Sequence, residues 1–267
     1  MAASTVPQKP PLNREELRDI IDLSLWAGQI LLQHGAETQR VESTVHRLGT
    51  NLGCEWMDIL VSPNAIVATT ISGEEFRTKI RRVIGLQVDM TKVSAINRLS
   101  RRVEDGELDR FQVRSELQRI SQITSHYKRW QVVLMVGIAC AAFSRLFGGD
   151  AIVFGMTFLA SAVAMFVRQE LNRRHFNMFL VVIVTAFVAG LIASLPSAFE
   201  WGDDPQIALA ASVLLLVPGV ALINSVDDII KGHLVTGITR GISGGLISLG
   251  IALGLSLAME LMGVNGL

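Results

Sequence analysis

The residues best suited to chemistry lie in an apolar stretch of the C-terminal half. Residues 214–228 read Leu-Leu-Leu-Val-Pro-Gly-Val-Ala-Leu-Ile-Asn-Ser-Val-Asp-Asp. Pro218 removes a backbone donor and crowds the preceding turn, and Gly219 adds backbone freedom, so a helix through this stretch must kink or break. In lipid, a break frees backbone polar groups that protein or water has to cover, and carriers place substrate and coupling-ion sites at such discontinuities. Asn224 and Asp228 stand four residues apart and so share a helix face. Asp228 can carry a proton or pair with a cation. A plain kink, with Asp227 and Asp228 among lipid headgroups, is the competing reading, and both stay open.

Three arginines, Arg145, Arg168 and Arg240, fall at the ends of other apolar runs. Long side chains at such positions can snorkel to water. Alternatively, one or more faces a shared cavity and grips a carboxylate through the planar two-pronged guanidinium, which implies an anionic substrate. The substrate or coupling-ion candidates are therefore Pro218, Gly219, Asn224, Asp228, Arg168 and Arg240.

Other constellations are weaker. His34, Glu37, Glu42 and His46 have helical spacings, but no HExxH signature accompanies them, so capping and solvated surface are the plainer roles and no metal is expected. Ser62, His34 and Glu37 are conceivable players in a membrane-anchored hydrolase, without a GxSxG context and with no catalytic residue assigned. No GxxxxGK[ST] phosphate loop occurs in the N-terminal half, so neither ATP nor another cofactor is expected. Arg77, Lys79 and Arg81 alternate on one strand face, which can hold an anionic ligand, lie near lipid headgroups or simply be solvated.

The elements that must position these residues follow from composition. Up to Arg129 the chain holds 18 Lys/Arg and 16 Asp/Glu, whereas residues 130–267 hold 6 and 8. Mixed charge in the first half leaves no nucleic-acid footprint. Cys54 and Cys140 have no metal or redox spacing, and the N-terminus lacks a signal-peptide pattern.

Five runs reach the length needed to cross a bilayer: 131–147, 151–167, 178–196, 206–226 and 237–262. Lys128 and Arg129 precede the first. Arg168, Arg173 and Arg174 lie between the second and third, and Lys231 stands between the fourth and fifth with Arg240 at the start of the fifth. The opposite loops carry mainly acids, so the positive-inside rule places the N-terminus in the cytosol and the C-terminus outside. Gly250 and Gly254 form a close-packing pair on the last span.

Residues 1–129 are expected to be a cytosolic α+β domain. Residues 14–34 and 37–52 have helical apolar spacing, with Gly35 suited to the turn between them. Runs from 56, 65 and 76 read as a three-stranded meander, and 90–104 and 107–124 as helices. The fold class expected is thus an α-helical integral membrane protein of five transmembrane helices, 130–267, carrying this domain.

The chain resembles the threonine/serine exporter family, and within it the form divided between two proteins, of which it is similar to the larger. The resemblance runs from Leu31-Leu32-Gln33-His34-Gly35-Ala36-Glu37 through Ser62-Pro63-Asn64-Ala65-Ile66-Val67, Thr69-Thr70, Ala164-Met165 and Arg168-Gln169. It continues through 210–219, Leu222-Ile223-Asn224, Asp228 and Lys231-Gly232-His233. Asp227 departs from the pattern and ranks behind Asp228. The resemblance implies a bacterial inner-membrane protein with a smaller membrane partner. Five spans also fit half of an inverted-repeat carrier, completed by a partner of opposite topology.

The expected function is a secondary exporter subunit for small carboxylates, succinate or a similar dicarboxylate. Threonine/serine export is the alternative, followed by the hydrolase or a regulatory subunit. Assembly with further copies of the chain stays open.

Overall fold

The computed structural model describes residues 10–85, 87–123 and 127–264. These fall into two compact units: residues before 124 together with Val220–Gly241, and residues 127–219 together with those from Ile242 onward.

In the first unit, α1 (Arg14–Gln33) begins in a reciprocal cap. Asn13 Oδ1 accepts from the Glu16 N–H at 2.8 Å and the Glu16 carboxylate accepts from the Asn13 N–H at 3.2 Å. Leu17, Ile20, Ile21 and Leu25 form its buried stripe, and Val41, Val45 and Leu48 do the same for α2 (Thr38–Asn51). The helices approach closely at Gly28, where a Cβ would stand 2.5 Å from a Val45 methyl.

Strands β1 (Trp56–Ser62), β2 (Ala65–Ser72) and β3 (Glu75–Arg82) form an antiparallel sheet in that order. Its register aligns Met57 with Thr70 and Thr70 with Arg77. Period-two alternation buries Met57, Val61, Ile66 and Ala68 in the core shared with α1 and α2. The same parity puts Arg77, Lys79 and Arg81 on this covered face, where Lys79 pairs with Asp22 and Arg81 Nη1 donates to the Asp22 carbonyl at 3.2 Å. The basic strand face is thus braced against α1 instead of being a free anion or headgroup surface. Helices α3 (Met90–Glu104) and α4 (Arg110–Ser121) are capped by Asp89 and Asp109 and complete the core through Val93, Ile96, Leu99, Val113 and Leu117.

The chain continues as α5 (Arg129–Leu146), α6 (Ala151–Arg173), α7 (Met178–Ala193), the short α8 (Leu195–Ala198), α9 (Gln206–Ser212), a 3₁₀ turn (Leu214–Leu216), α10 (Gly219–Ile230) and α11 (Leu234–Met262). Among the described residues four stretches are long and apolar enough to cross a membrane: Arg129–Leu146, Ala151–Arg173, Met178–Ala198 and Leu234–Met262. A fifth arises if Gln206–Leu216 and Gly219–Ile230 count as one broken span.

The interior of the second unit is built from small side chains, with Ala160, Ala164, Ala186, Ala189 and Ala193 fully buried. This is how membrane helices bring their backbones together. Gly254 of α11 sits where a Cβ would be 2.5 Å from the Ile183 carbonyl and 2.8 Å from the Ala186 methyl. At Gly250 a Cβ would be 3.2 Å from both Phe179 and Val182. The glycine pair is therefore a packing surface against α7.

Candidate functional site

Helix α1 ends where Gly35 takes a left-handed conformation, φ +89°, that suits glycine. The turn leaves the Gly35 and Ala36 carbonyls and the first N–H of α2 without partners of their own helix. Glu37, the residue before α2, makes no side-chain cap.

All three groups are met by residues far along the chain. Asn224 Nδ2 donates to the Gly35 carbonyl at 2.8 Å, and Arg240 Nη2 donates to the Ala36 carbonyl at 2.9 Å. Asp228 Oδ1 accepts from the Thr38 N–H at 2.9 Å. The four-residue spacing of Asn224 and Asp228 puts both on the face of α10 that meets the turn.

Arg240 comes from the start of α11, which approaches α10 through glycines. Ser225 Oγ donates to the Gly237 carbonyl at 2.7 Å. A Cβ at Gly237 would stand 2.9 Å from the Ser225 carbonyl, and one at Gly241 would be 2.8 Å from Ser225 Oγ. Arg240 Nη1 thus reaches 2.9 Å from Asp228 Oδ2, with the Asp228 side chain fully buried and that of Arg240 11% exposed. This Nη1–Oδ2 contact is a close ion pair without an aligned hydrogen bond. Arg240 therefore does not extend to the surface; it is spent on Asp228 and the α1–α2 turn.

Around this pair runs a more exposed set of charges. Lys231 Nζ lies 3.0 Å from Glu37 Oε2 and 2.8 Å from Asp227 Oδ2, and Glu37 Oε1 accepts from Arg40 at 3.3 Å. His233 Nε2 stands 3.6 Å from Glu42 Oε2. Partial burial pushes the Glu42 carboxyl above its ordinary range, and neighbouring His233 offsets part of that rise. His34 is largely buried, its Nδ1 3.1 Å from the Gln87 carbonyl. Among the described residues no group of three or more His, Cys, Asp or Glu side chains could hold a metal ion.

The remaining candidates lie in the second unit. The last turn before Pro218 tightens to 3₁₀, with Leu216 N–H on the Val213 carbonyl at 2.8 Å and Val217 N–H on that of Leu214 at 3.2 Å. The Ser212 and Leu215 carbonyls lose their α-helical donors. Helix α6 supplies both replacements: Ser161 Oγ donates to the Ser212 carbonyl at 3.2 Å and Arg168 Nη1 to that of Leu215 at 2.8 Å. Seven residues separate these donors, two helical turns along one face. Past Pro218, Gly219 N–H bonds the Val217 carbonyl at 2.9 Å and α10 begins. Arg145 has a local role, donating to the Gly149 carbonyl at 2.9 Å.

Two groupings thus emerge: Asn224, Asp228 and Arg240 in the first unit, and Arg168 beside the break at Pro218 and Gly219 in the second. The backbone groups of Gly35, Ala36 and Thr38, and the Lys231–Glu37 contact, were absent from the sequence candidates. The left-handed turn signal at Gly35 was the available clue that orphan backbone groups would need partners there.

Four helical stretches among the described residues long and apolar enough to cross a membrane, with a fifth candidate bent at Pro218, are those of a polytopic membrane protein. The chain belongs to the threonine/serine exporter family: the family model described as "Putative threonine/serine exporter" matches residues 22–262. Among its relatives is the "Probable succinate transporter subunit YjjP" of Klebsiella aerogenes, 38% identical over 95% of this chain and 98% of that protein. The protein of the same name in Escherichia coli is 37% identical over 96% of this chain and 99% of its own length. The "Threonine/serine exporter" of Corynebacterium glutamicum is 24% identical over 97% of this chain but only 56% of that protein. No solved structure matches the chain.

Proposed function

We propose that this chain is one subunit of a secondary exporter that moves succinate or a similar small dicarboxylate out of the cytosol. It would work with a smaller membrane partner of opposite topology in the bacterial inner membrane, with its own N-terminus cytosolic and C-terminus periplasmic. The observation that carries the reading is the buried pair between Asp228, on the helix that begins just after Pro218, and Arg240 of α11. A buried ion pair is a poor source of net stability, because desolvation of both charges offsets their attraction. Its use here is as a switch: protonation of Asp228 releases Arg240, whose two-pronged N–H set then donates to a substrate carboxylate.

Two YjjP relatives named as succinate transporter subunits, matched over nearly their whole length, support the substrate class and the need for a partner. The "Threonine/serine exporter" of Corynebacterium glutamicum extends well beyond the 56% matched here, which also supports a second component. That protein's name favours threonine and serine as the alternative cargo, and both also carry a carboxylate for Arg240.

Reconstitution into proteoliposomes, with and without the partner, tests the reading. Radiolabelled succinate is expected to cross only when both chains and a pH gradient are present. If succinate, threonine and serine all fail to cross under those conditions, the exporter reading falls.

A further inference from the structure

A polar groove lies in the first unit, on the open side of α2 and α3. It is open to solvent, has a volume of about 310 Å³ and is lined by Arg40, Arg47 and Arg101 with Ser43, Asn97 and Glu37. That volume lies within the range of small-ligand sites. Arg40, Ser43 and Arg47 recur at helical spacing on α2, with Glu37 just before it, and Asn97 and Arg101 do the same on α3, so two helix faces present donors to one space. The helices leave room because the residues between these donors are small: Thr44 and Ser100, 1% and 2% exposed, also line the cavity.

The lining is electrostatically incomplete. Three arginines face one carboxylate, a formal charge of +2. Arg40 is shared with Glu37 at 3.3 Å, and Arg47 turns to Glu104 at 2.9 Å. Among the described residues no carboxylate stands within ion-pair distance of Arg101.

We propose that this cavity binds a small dianion, carrying either two carboxylates or a phosphate, as an effector site separate from Asp228 and Arg240. Arg47 and Arg101 grip the anion from opposite helices through charge-assisted hydrogen bonds, and Ser43 and Asn97 complete its coordination. Occupancy is passed on through Glu37. Its Oε1 accepts from Arg40 while its Oε2 stands 3.0 Å from Lys231 Nζ, just past α10. An anion that recruits Arg40 leaves Glu37 to Lys231 alone and tightens that end of α10. The site does not depend on the export reading, since it is read by binding to this chain without its partner.

The test is equilibrium dialysis of the purified full-length chain in detergent against radiolabelled inorganic phosphate and, in a second arm, radiolabelled succinate. Saturable binding of at least one is expected, and the stronger of the two identifies the anion chemistry. Arg101→Gln, at an exposed helix position, is expected to weaken that binding about ten-fold. Glu37→Gln removes the one acid of the lining and is expected to strengthen it, a change that a merely structural groove would not produce. Arg240→Gln is expected to leave phosphate binding unchanged, and the succinate arm is compared in that background, which separates this site from the pair assigned to transport. Circular-dichroism melts identify folded variants, and Ser43→Asp, placing a negative charge in the cavity mouth, provides a second loss of binding. No saturable binding of either anion, or equal binding by the wild type and Arg101→Gln, overturns the proposal.

Discussion

Asp228 caps the N-terminus of α2 from 190 residues away, its Oδ1 accepting the Thr38 N–H at 2.9 Å. A carboxylate there is favoured by the positive end of the helix dipole as well as by the hydrogen bond itself. The same side chain holds Arg240 through its other oxygen. One buried carboxylate therefore joins α2, α10 and α11, and its charge state is felt by all three.

Removal of either partner leaves the other charge buried and unpaired, a loss of about 3–5 kcal/mol in comparable pairs. Asp228→Asn retains an oxygen for the Thr38 N–H, so its effect isolates the ion pair from the cap. Arg240→Gln and Asp228→Asn are each expected to lower the unfolding midpoint, and the double variant to cost less than their sum. A double-mutant cycle in detergent measures the difference; strict additivity would mean that the 2.9 Å contact carries no coupling. In proteoliposomes Asp228→Asn is expected to abolish coupled efflux while the protein stays in the membrane.

Arg168 has a different task, because its guanidinium covers a carbonyl that the Pro218 break sets free. Arg168→Leu leaves the Leu215 carbonyl without that donor at a cost of about 1–3 kcal/mol. Arg168→Lys keeps a donor and is expected to recover part of the loss. Thermal unfolding of the two variants decides the point: equal destabilisation by Leu and Lys would show that side-chain packing, and not the carbonyl, is what Arg168 serves.

Local signals made much of this legible in advance. The apolar spacing of α1 and α2, the alternation of the three strands, the turn at Gly35 and the break at Pro218-Gly219 all reside in a few neighbouring residues. What pairs with Asp228 did not, because Thr38 and Arg240 reach it from two other elements and a single sequence carries no record of such pairings. The strand β3 shows a second limit. Its period of two is plain from Phe76, Thr78 and Ile80 alternating with Arg77, Lys79 and Arg81, yet the period does not say which set faces the helices. Asp22 on α1 decides it in favour of the charged set. The outward face is then left with Phe76 and Ile80, 73% and 67% exposed.

The glycines of α11 make a steric prediction. A Cβ at position 254 would approach the Ile183 carbonyl to 2.5 Å, and backbone cannot move aside as a flexible side chain can. Gly254→Val is therefore expected to push α11 from α7 and to lower the thermal midpoint more than Gly245→Val, where a Cβ meets nothing within 4 Å. Comparable melting of the two variants would remove Gly254 from the packing account.

The loop between α5 and α6 offers a pH prediction whose sign is fixed by hydrogen bonding. Asp150 Oδ1 accepts from the Val153 N–H at 2.8 Å and Oδ2 from that of Asp203 at 3.1 Å, while Gly202 leaves no room for a Cβ beside the carboxylate. The Val153 N–H is the largest influence, and with the Asp203 N–H and nearby Arg145 it holds the carboxyl below its ordinary value of 3.8 despite some desolvation. A folded value below the unfolded one means that the stabilisation is present above 3.8 and is lost as pH falls through the folded value. Asn at this position caps a helix without titrating. The wild type is therefore expected to melt above Asp150→Asn at neutral pH, with the gap closing as the pH is taken below 3.8. A gap that stays constant across that range would show that the charge of Asp150 contributes nothing to holding the loop against α6.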